Sequence, residues 1–106
     1  MVSFEEFKKL EIRIARVIAV ADHPNADRLY VLTIDVGGAT RQIVAGIKPH
    51  YAREALVGRQ IVIVNNLEPA MLRGVESQAM LLAASDENGV SLLTADRDMA
   101  LGSPVK

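Results

Sequence analysis

No cysteine occurs anywhere in the 106 residues. Disulfides and thiolate–metal sites are therefore excluded, and a reducing, cytoplasmic setting is expected. Histidine is almost as scarce, with only His23 and His50. Their spacing makes no zinc site, and both read as surface or loop residues. Neither sits beside a nucleophile or an orienting acid, so no hydrolytic triad is expected. The one glycine pair, in "VGGAT" at 36–40, has no lysine at phosphate-loop spacing. Enzymatic activity, a bound metal and a cofactor are all unexpected. Tryptophan is absent and aromatics make up 4% of the chain, so base stacking can be only a small part of any nucleic-acid recognition. No apolar run approaches the roughly 20 residues that span a bilayer, so no membrane partner is expected. The opening "MVSFEEFKKLE" carries both signs and no apolar core, unlike a signal peptide.

What is present is globular in kind. Half of the residues are apolar and 24% are charged, a balance that fits one domain over residues 1–106 with a modest core. Net charge is −1, but it is unevenly spread. Residues 28–73 hold six cations (Arg28, Arg41, Lys48, Arg53, Arg59, Arg73) against three carboxylates, and the segment after them is acidic. A fold that gathers the middle onto one face would own a local positive patch.

"SFEEFKKL" reads as a short helix, capped by Ser3 with Glu6 completing a capping box. "EIRIARVIAVA" reads as a strand with a bulge near Ala15–Val17, where the alternation shifts. "DHPNAD" is turn chemistry. "RLYVLTIDV" and "TRQIVAG" form a hairpin about Gly37–Gly38. "KPHYAREALVG" predicts a helix over 49–57, with Pro49 at its start and Gly58 just past its end. "RQIVIVNN" is a fourth strand, its uninterrupted apolar run predicting burial on both faces. "SQAMLLAAS" reads as one fifth strand, and Asn88–Gly89 predicts a hairpin to "VSLLTA". The tail is read as a loop with one more short strand at most.

Three strands, a helix, then two strands is the order of an all-β, five-stranded Greek-key barrel, the OB-fold. Closing the sheet removes the edges that strands this apolar would otherwise expose. An SH3-like barrel is the structural rival, but it does not account for the helix after the third strand.

Five ordered segments carry a resemblance that covers nearly the whole chain: "FKKLEIRIARVIAV", "HPNADRLYVLTIDVG", "RQIVAGI", "LVGRQIVIVNNLEP" and "LRGVESQAMLLAA". The sequence resembles the tRNA-binding domain family. That family includes free-standing structure-specific tRNA-binding proteins, the C-terminal module of many methionyl-tRNA synthetases, and copies in phenylalanyl-tRNA synthetase β-chains and multisynthetase cofactors. Starting at Met1 and ending just after the module, the chain looks like a free-standing version or a separately encoded synthetase subunit. The resemblance implies a non-catalytic homodimer that binds the outer corner of tRNA, with methionyl-tRNA synthetase a possible partner. It also places Asn66, Ser77 and Met80 on the RNA-contacting surface, with Asn65 beside them. Ser77 and Met80 are three apart, so a regular strand would point them to opposite faces. Both can face RNA only if a bulge intervenes or Ser77 lies in the loop.

Chemistry adds four cations to that set. Arg73 lies in a loop with little apolar work to do, Arg28 opens the second strand, Arg41 stands across the hairpin, and Lys48 precedes the predicted helix. Gly74 is expected to need positive φ, and Tyr30 reads as core. Two other functions compete. One is a chaperone-like protein-binding dimer of the same fold, which would show apolar pockets for peptides. The other is a dimerisation subunit that raises a synthetase's grip on tRNA by avidity.

Overall fold

The computed structural model describes residues 1–106. Its organising element is β1 (Ile12–Asp22), eleven residues long and bulged in the middle. Register slips between Val17 and Ala19, leaving Ile18 outside. The slip falls slightly later than the sequence predicts. The bulge lets one strand serve two partners: Ile12–Arg16 pair with β4 (Gln60–Val64), and Arg16–Asp22 pair with β2 (Tyr30–Asp35). β2 in turn pairs with β3 (Thr40–Ala45). β7 (Met80–Leu81) adds to the other side of β4, so the sheet runs β3-β2-β1-β4-β7.

The sheet closes on itself through one backbone bond and several side-chain bonds. β3 meets β6 (Val75–Ser77) and the Gln78–Ala79 link that follows it. There the Gln78 N–H donates to the Gln42 carbonyl at 2.8 Å, and Gln78 Oε1 accepts the Gln42 N–H at 2.9 Å. Ser77 Oγ accepts the Val44 N–H at 3.0 Å. The result is the five-stranded OB barrel expected from the strand order. The single fifth strand predicted over 77–85 is in fact three pieces, β6, β7 and β8 (Ala83–Asp86), the last paired only with β9 (Gly89–Leu92). The β8–β9 turn is centred on Glu87–Asn88, one residue earlier than the Asn88–Gly89 signal implies, because Asp86 Oδ1 captures the Asn88 N–H at 2.8 Å.

Burial explains the composition. Val17, Leu32, Ile34, Ile43, Leu56, Ile61 and Ile63 fill the barrel, each side chain stabilising it by about 1.5–3 kcal/mol. β4 is buried along its whole length, as its sequence predicts. Its alternate residues Val62 and Val64 join Ile12 and Ile14 on the outer face, under Leu82, Ala95 and Leu101. The tail is more than a loop. Its residues 102–105 run along β1, with Gly102 N–H on Ile14 O, Ile14 N–H on Ser103 O and Val105 N–H on Ile12 O. Gln60, buried in β4, grips it again through both backbone groups of Met99. The tail also crosses the β2–β3 turn so closely that a Cβ on Gly37 would stand 2.4 Å from the Leu101 carbonyl oxygen.

α1 (Phe4–Phe7) has the predicted Ser3 cap, with the Glu6 N–H donating to Ser3 Oγ at 3.2 Å. α2 is much shorter than expected, Arg53–Leu56. Tyr51 breaks the helix because its carbonyl accepts the Tyr30 hydroxyl at 2.7 Å and its own hydroxyl accepts the Leu92 N–H at 3.0 Å. Gly58 still follows the helix end at φ 87°, as read. No helix is long and apolar enough to cross a membrane.

Candidate nucleic-acid interface

The stretch between β4 and β7, read from sequence as a loop, folds as a two-stranded hairpin. β5 (Ala70–Leu72) pairs with β6, Leu72 opposite Val75. Its two-residue turn is Arg73–Gly74, both at positive φ, 54° and 90°. Positive φ at both central positions is what a tight hairpin demands. Glycine meets it freely, as predicted for Gly74. Arginine does not, and costs roughly 1–2 kcal/mol in that region. The fold thus spends stability to hold a guanidinium at the hairpin tip.

The tip lies against the β1–β2 loop, residues 23–29. Arg28 and Arg73 line one open groove of about 480 Å³ together with Asn25, Asp27 and Leu29. Neither arginine has an ion-pair partner; the ion pairs are Arg16–Asp98 and Lys48–Asp22. Asp27 contributes one carboxylate, so the groove keeps a net positive charge. Arg41 is half-buried on β3. Its Nη1 donates to the Gln78 carbonyl at 3.0 Å and reaches the Asn65 carbonyl at 3.4 Å, which ties three elements together and aims the rest of the guanidinium.

Other predicted contacts are used differently. Ser77 is 6% exposed. Its hydroxyl accepts from Val44 and donates to the Ala79 carbonyl at 2.9 Å, so it staples the barrel shut and shows only a small surface at the wall of the cleft beside Met80. The strand breaks after it, and Met80 points outward, 48% exposed. Asn66 grips the N-terminal segment: its Oδ1 accepts the Glu11 N–H at 2.8 Å and its Nδ2 donates to the Lys9 carbonyl at 2.7 Å. Asn65 turns its Oδ1 inward, buried without a partner, while its N–H donates to Glu11 O at 2.8 Å. Lys48 does not serve the helix; its Nζ pairs with Asp22 Oδ1 at 3.2 Å. Arg28, Arg41, Arg73 and Met80 remain as groups free to meet a ligand, with Lys48 reachable at the cost of its pair.

Two features went unread in the sequence. His23 is buried rather than at the surface. Its Nδ1 accepts the Asn25 N–H and its Nε2 lies 2.9 Å from the Leu72 carbonyl oxygen. The signal was its place two residues before Asn25, where a ring nitrogen can cap a turn. The second feature is a mainly apolar cleft of about 260 Å³ between Val44, Leu67, Ala70, Leu72, Ala79 and Met80, with Glu68 and Ser77 also in its wall. No group of histidines and carboxylates is placed to hold a metal ion.

Residues 12–104 match the family model described as "Putative tRNA binding domain". The chain belongs to the tRNA-binding domain family. Among curated relatives, the methionine–tRNA ligase of Pyrococcus furiosus is 55% identical over 105 residues, which cover 99% of this chain and 14% of that enzyme. The chain therefore spans about a seventh of the ligases it matches, and what it shares with them is the tRNA-binding domain. Among solved structures, a MetRS-related protein from Pyrococcus horikoshii superposes with a TM-score of 0.92 at 32% identity, covering 100% of this chain and 98% of that one. The chaperone CsaA from Bacillus anthracis str. Ames also superposes at 0.92, with 30% identity and coverage of 100% and 99%. One barrel is thus shared by a MetRS-related protein and a chaperone.

Proposed function

We propose that this chain is a non-catalytic, cytoplasmic tRNA-binding module that recognises tRNA by shape and backbone and assists methionyl-tRNA synthetase. The observation that carries this reading is the groove shared by Arg28 and Arg73, two guanidiniums from separate loops with no ion-pair partner. Guanidiniums suit phosphates, and the groove offers neither aromatic rings nor a ring of base-reading amides. Gel shift with bulk tRNA tests it directly, and absence of a shift at low salt would refute it. Co-purification with methionyl-tRNA synthetase from the native source tests the partner.

A homodimer belongs to the same proposal. No residue of α1 is buried within its own chain, and Phe4 is 70% exposed. Yet Asn66 holds the segment behind it in place. Phe4, Phe7 and Leu10 line a cleft of about 360 Å³ with Ile12 and with Pro104 and Val105 from the chain's other end. An ordered helix whose apolar face is left largely uncovered is best satisfied by a second copy across a two-fold axis. A monomer mass in sedimentation at micromolar concentration would reject it. The apolar cleft beside Met80, with the CsaA likeness, supports a second reading, peptide binding in the manner of a chaperone.

A further inference from the structure

The β5–β6 hairpin forms a sheet of its own, and all three residues of β5 are exposed. Its β6 end is fastened to the barrel by Ser77 and by Gln42 Nε2 on the Glu76 carbonyl at 2.9 Å. Its turn end, which carries Arg73, is fastened elsewhere. The His23 ring sits between two backbone groups. Nδ1 accepts the Asn25 N–H at 2.9 Å, so the ring proton is on Nε2, and Nε2–H donates to the Leu72 carbonyl at 2.9 Å. One neutral imidazole therefore shapes the β1–β2 loop with one nitrogen and holds the hairpin with the other. Two further bonds cross the same seam, Asn25 Nδ2 on the Arg73 carbonyl at 3.3 Å and Arg73 Nη2 on the Asn25 carbonyl at 3.4 Å. Both are long and exposed, hence weak. The His23 bond is the short one, made by a ring that is itself buried.

We propose that His23 is a positioning residue for RNA binding: it latches the hairpin turn to the β1–β2 loop so that Arg73 and Arg28 face the same run of phosphates. The inference rests on the tRNA-binding reading above. Without the latch the barrel core is untouched, but Arg73 swings with its hairpin and Arg28 meets the backbone alone.

The two functions of the ring can be separated. In His23→Asn a short amide oxygen can replace Nδ1 towards Asn25, but nothing reaches Leu72. In His23→Gln the longer side chain can place an N–H near the Leu72 carbonyl. Binding of bulk tRNA is measured across salt concentrations for the parent, both variants, Arg73→Ala, and the double variant His23→Asn/Arg73→Ala. Arg73→Ala is expected to weaken low-salt binding about tenfold and flatten the salt slope by about one unit. His23→Asn should approach that loss and share the flattened slope, and the double variant should bind no worse than Arg73→Ala alone. His23→Gln should stay within about threefold of the parent. A change in packing alone would leave the slope where it was. The proposal is overturned if His23→Asn binds like the parent, if its loss multiplies with that of Arg73→Ala, or if the slope is unchanged. Should His23→Asn fail to fold, His23→Gln decides: a loss equal to that of Arg73→Ala overturns the latch. A parent that binds no tRNA refutes the tRNA-binding reading itself, whereas a parent that binds with a loss only in Arg73→Ala refutes the latch alone.

Discussion

Ser77 Oγ accepts the backbone N–H of Val44 at 3.0 Å and donates its own O–H to the Ala79 carbonyl at 2.9 Å. The hydroxyl completes the β3–β6 seam at a point where no backbone carbonyl is placed to do so. Ser77→Ala would leave the Val44 N–H buried and unpaired, which costs about 1–3 kcal/mol. A fall in the urea midpoint with an unchanged m-value is expected, and the salt slope of tRNA binding should not move. An alanine variant as stable as the parent would show that the seam does not depend on this bond.

Arg73 at φ 54° makes the opposite prediction. Asparagine tolerates that region far better, and glycine is free in it. Arg73→Asn or Arg73→Gly should therefore stabilise the fold by roughly 0.5–1 kcal/mol, or several degrees in Tm for a domain of this size. The same variants should weaken tRNA binding. A position that gains stability and loses binding together is one kept for function. If both variants lose stability instead, the strain inferred from φ is not there.

Asn66 joins the base of the β4–β5 segment to the N-terminal arm. Removing its amide in Asn66→Ala deletes two hydrogen bonds, worth about 0.5–1.5 kcal/mol each. Amides of residues 7–11 should exchange faster with solvent, and the proposed dimer should dissociate at higher concentration, because α1 would no longer be held for its partner. Unchanged exchange over that segment would mean that Asn66 is not what orders the arm.

Some of this arrangement was legible in the residues and some was not. Strand order could be read because each strand is apolar, β-branched and bounded by turn residues such as Gly37–Gly38. Gly74 announced a positive φ, but the hairpin around it stayed hidden, since three-residue strands leave no periodicity to detect. The helix over 49–57 failed because a tertiary bond to the Tyr51 carbonyl outweighs the local preference. Ser77 and Met80 show the limit of a resemblance. It placed both on the RNA face, which their odd spacing allows only where the strand is interrupted; the strand does break between them, and both line one cleft, Ser77 nearly buried and Met80 exposed. His23 escaped notice because a histidine in a turn looks like a surface residue until the hairpin that covers it is known.

Salt dependence separates the two functions that the barrel could serve. Arg28 and Arg73 are unpaired, and Arg41 keeps part of its guanidinium free, so about three phosphates can be neutralised. Log K should then fall with log salt at a slope between about −2 and −3, weakening binding roughly 20- to 60-fold from about 50 to 200 mM. Lys48→Ala should change that slope by much less than one unit, because Nζ already pairs with Asp22 at 3.2 Å. Several unrelated tRNAs should compete within about tenfold, or 1.4 kcal/mol, since backbone contacts carry no sequence information. A peptide in the cleft beside Met80 would behave otherwise. Its affinity would come from apolar burial, which added salt does not screen, and Met80→Ala would reduce it at every salt concentration alike. A flat salt profile combined with a strong Met80→Ala effect would transfer the function of this face from RNA to peptide.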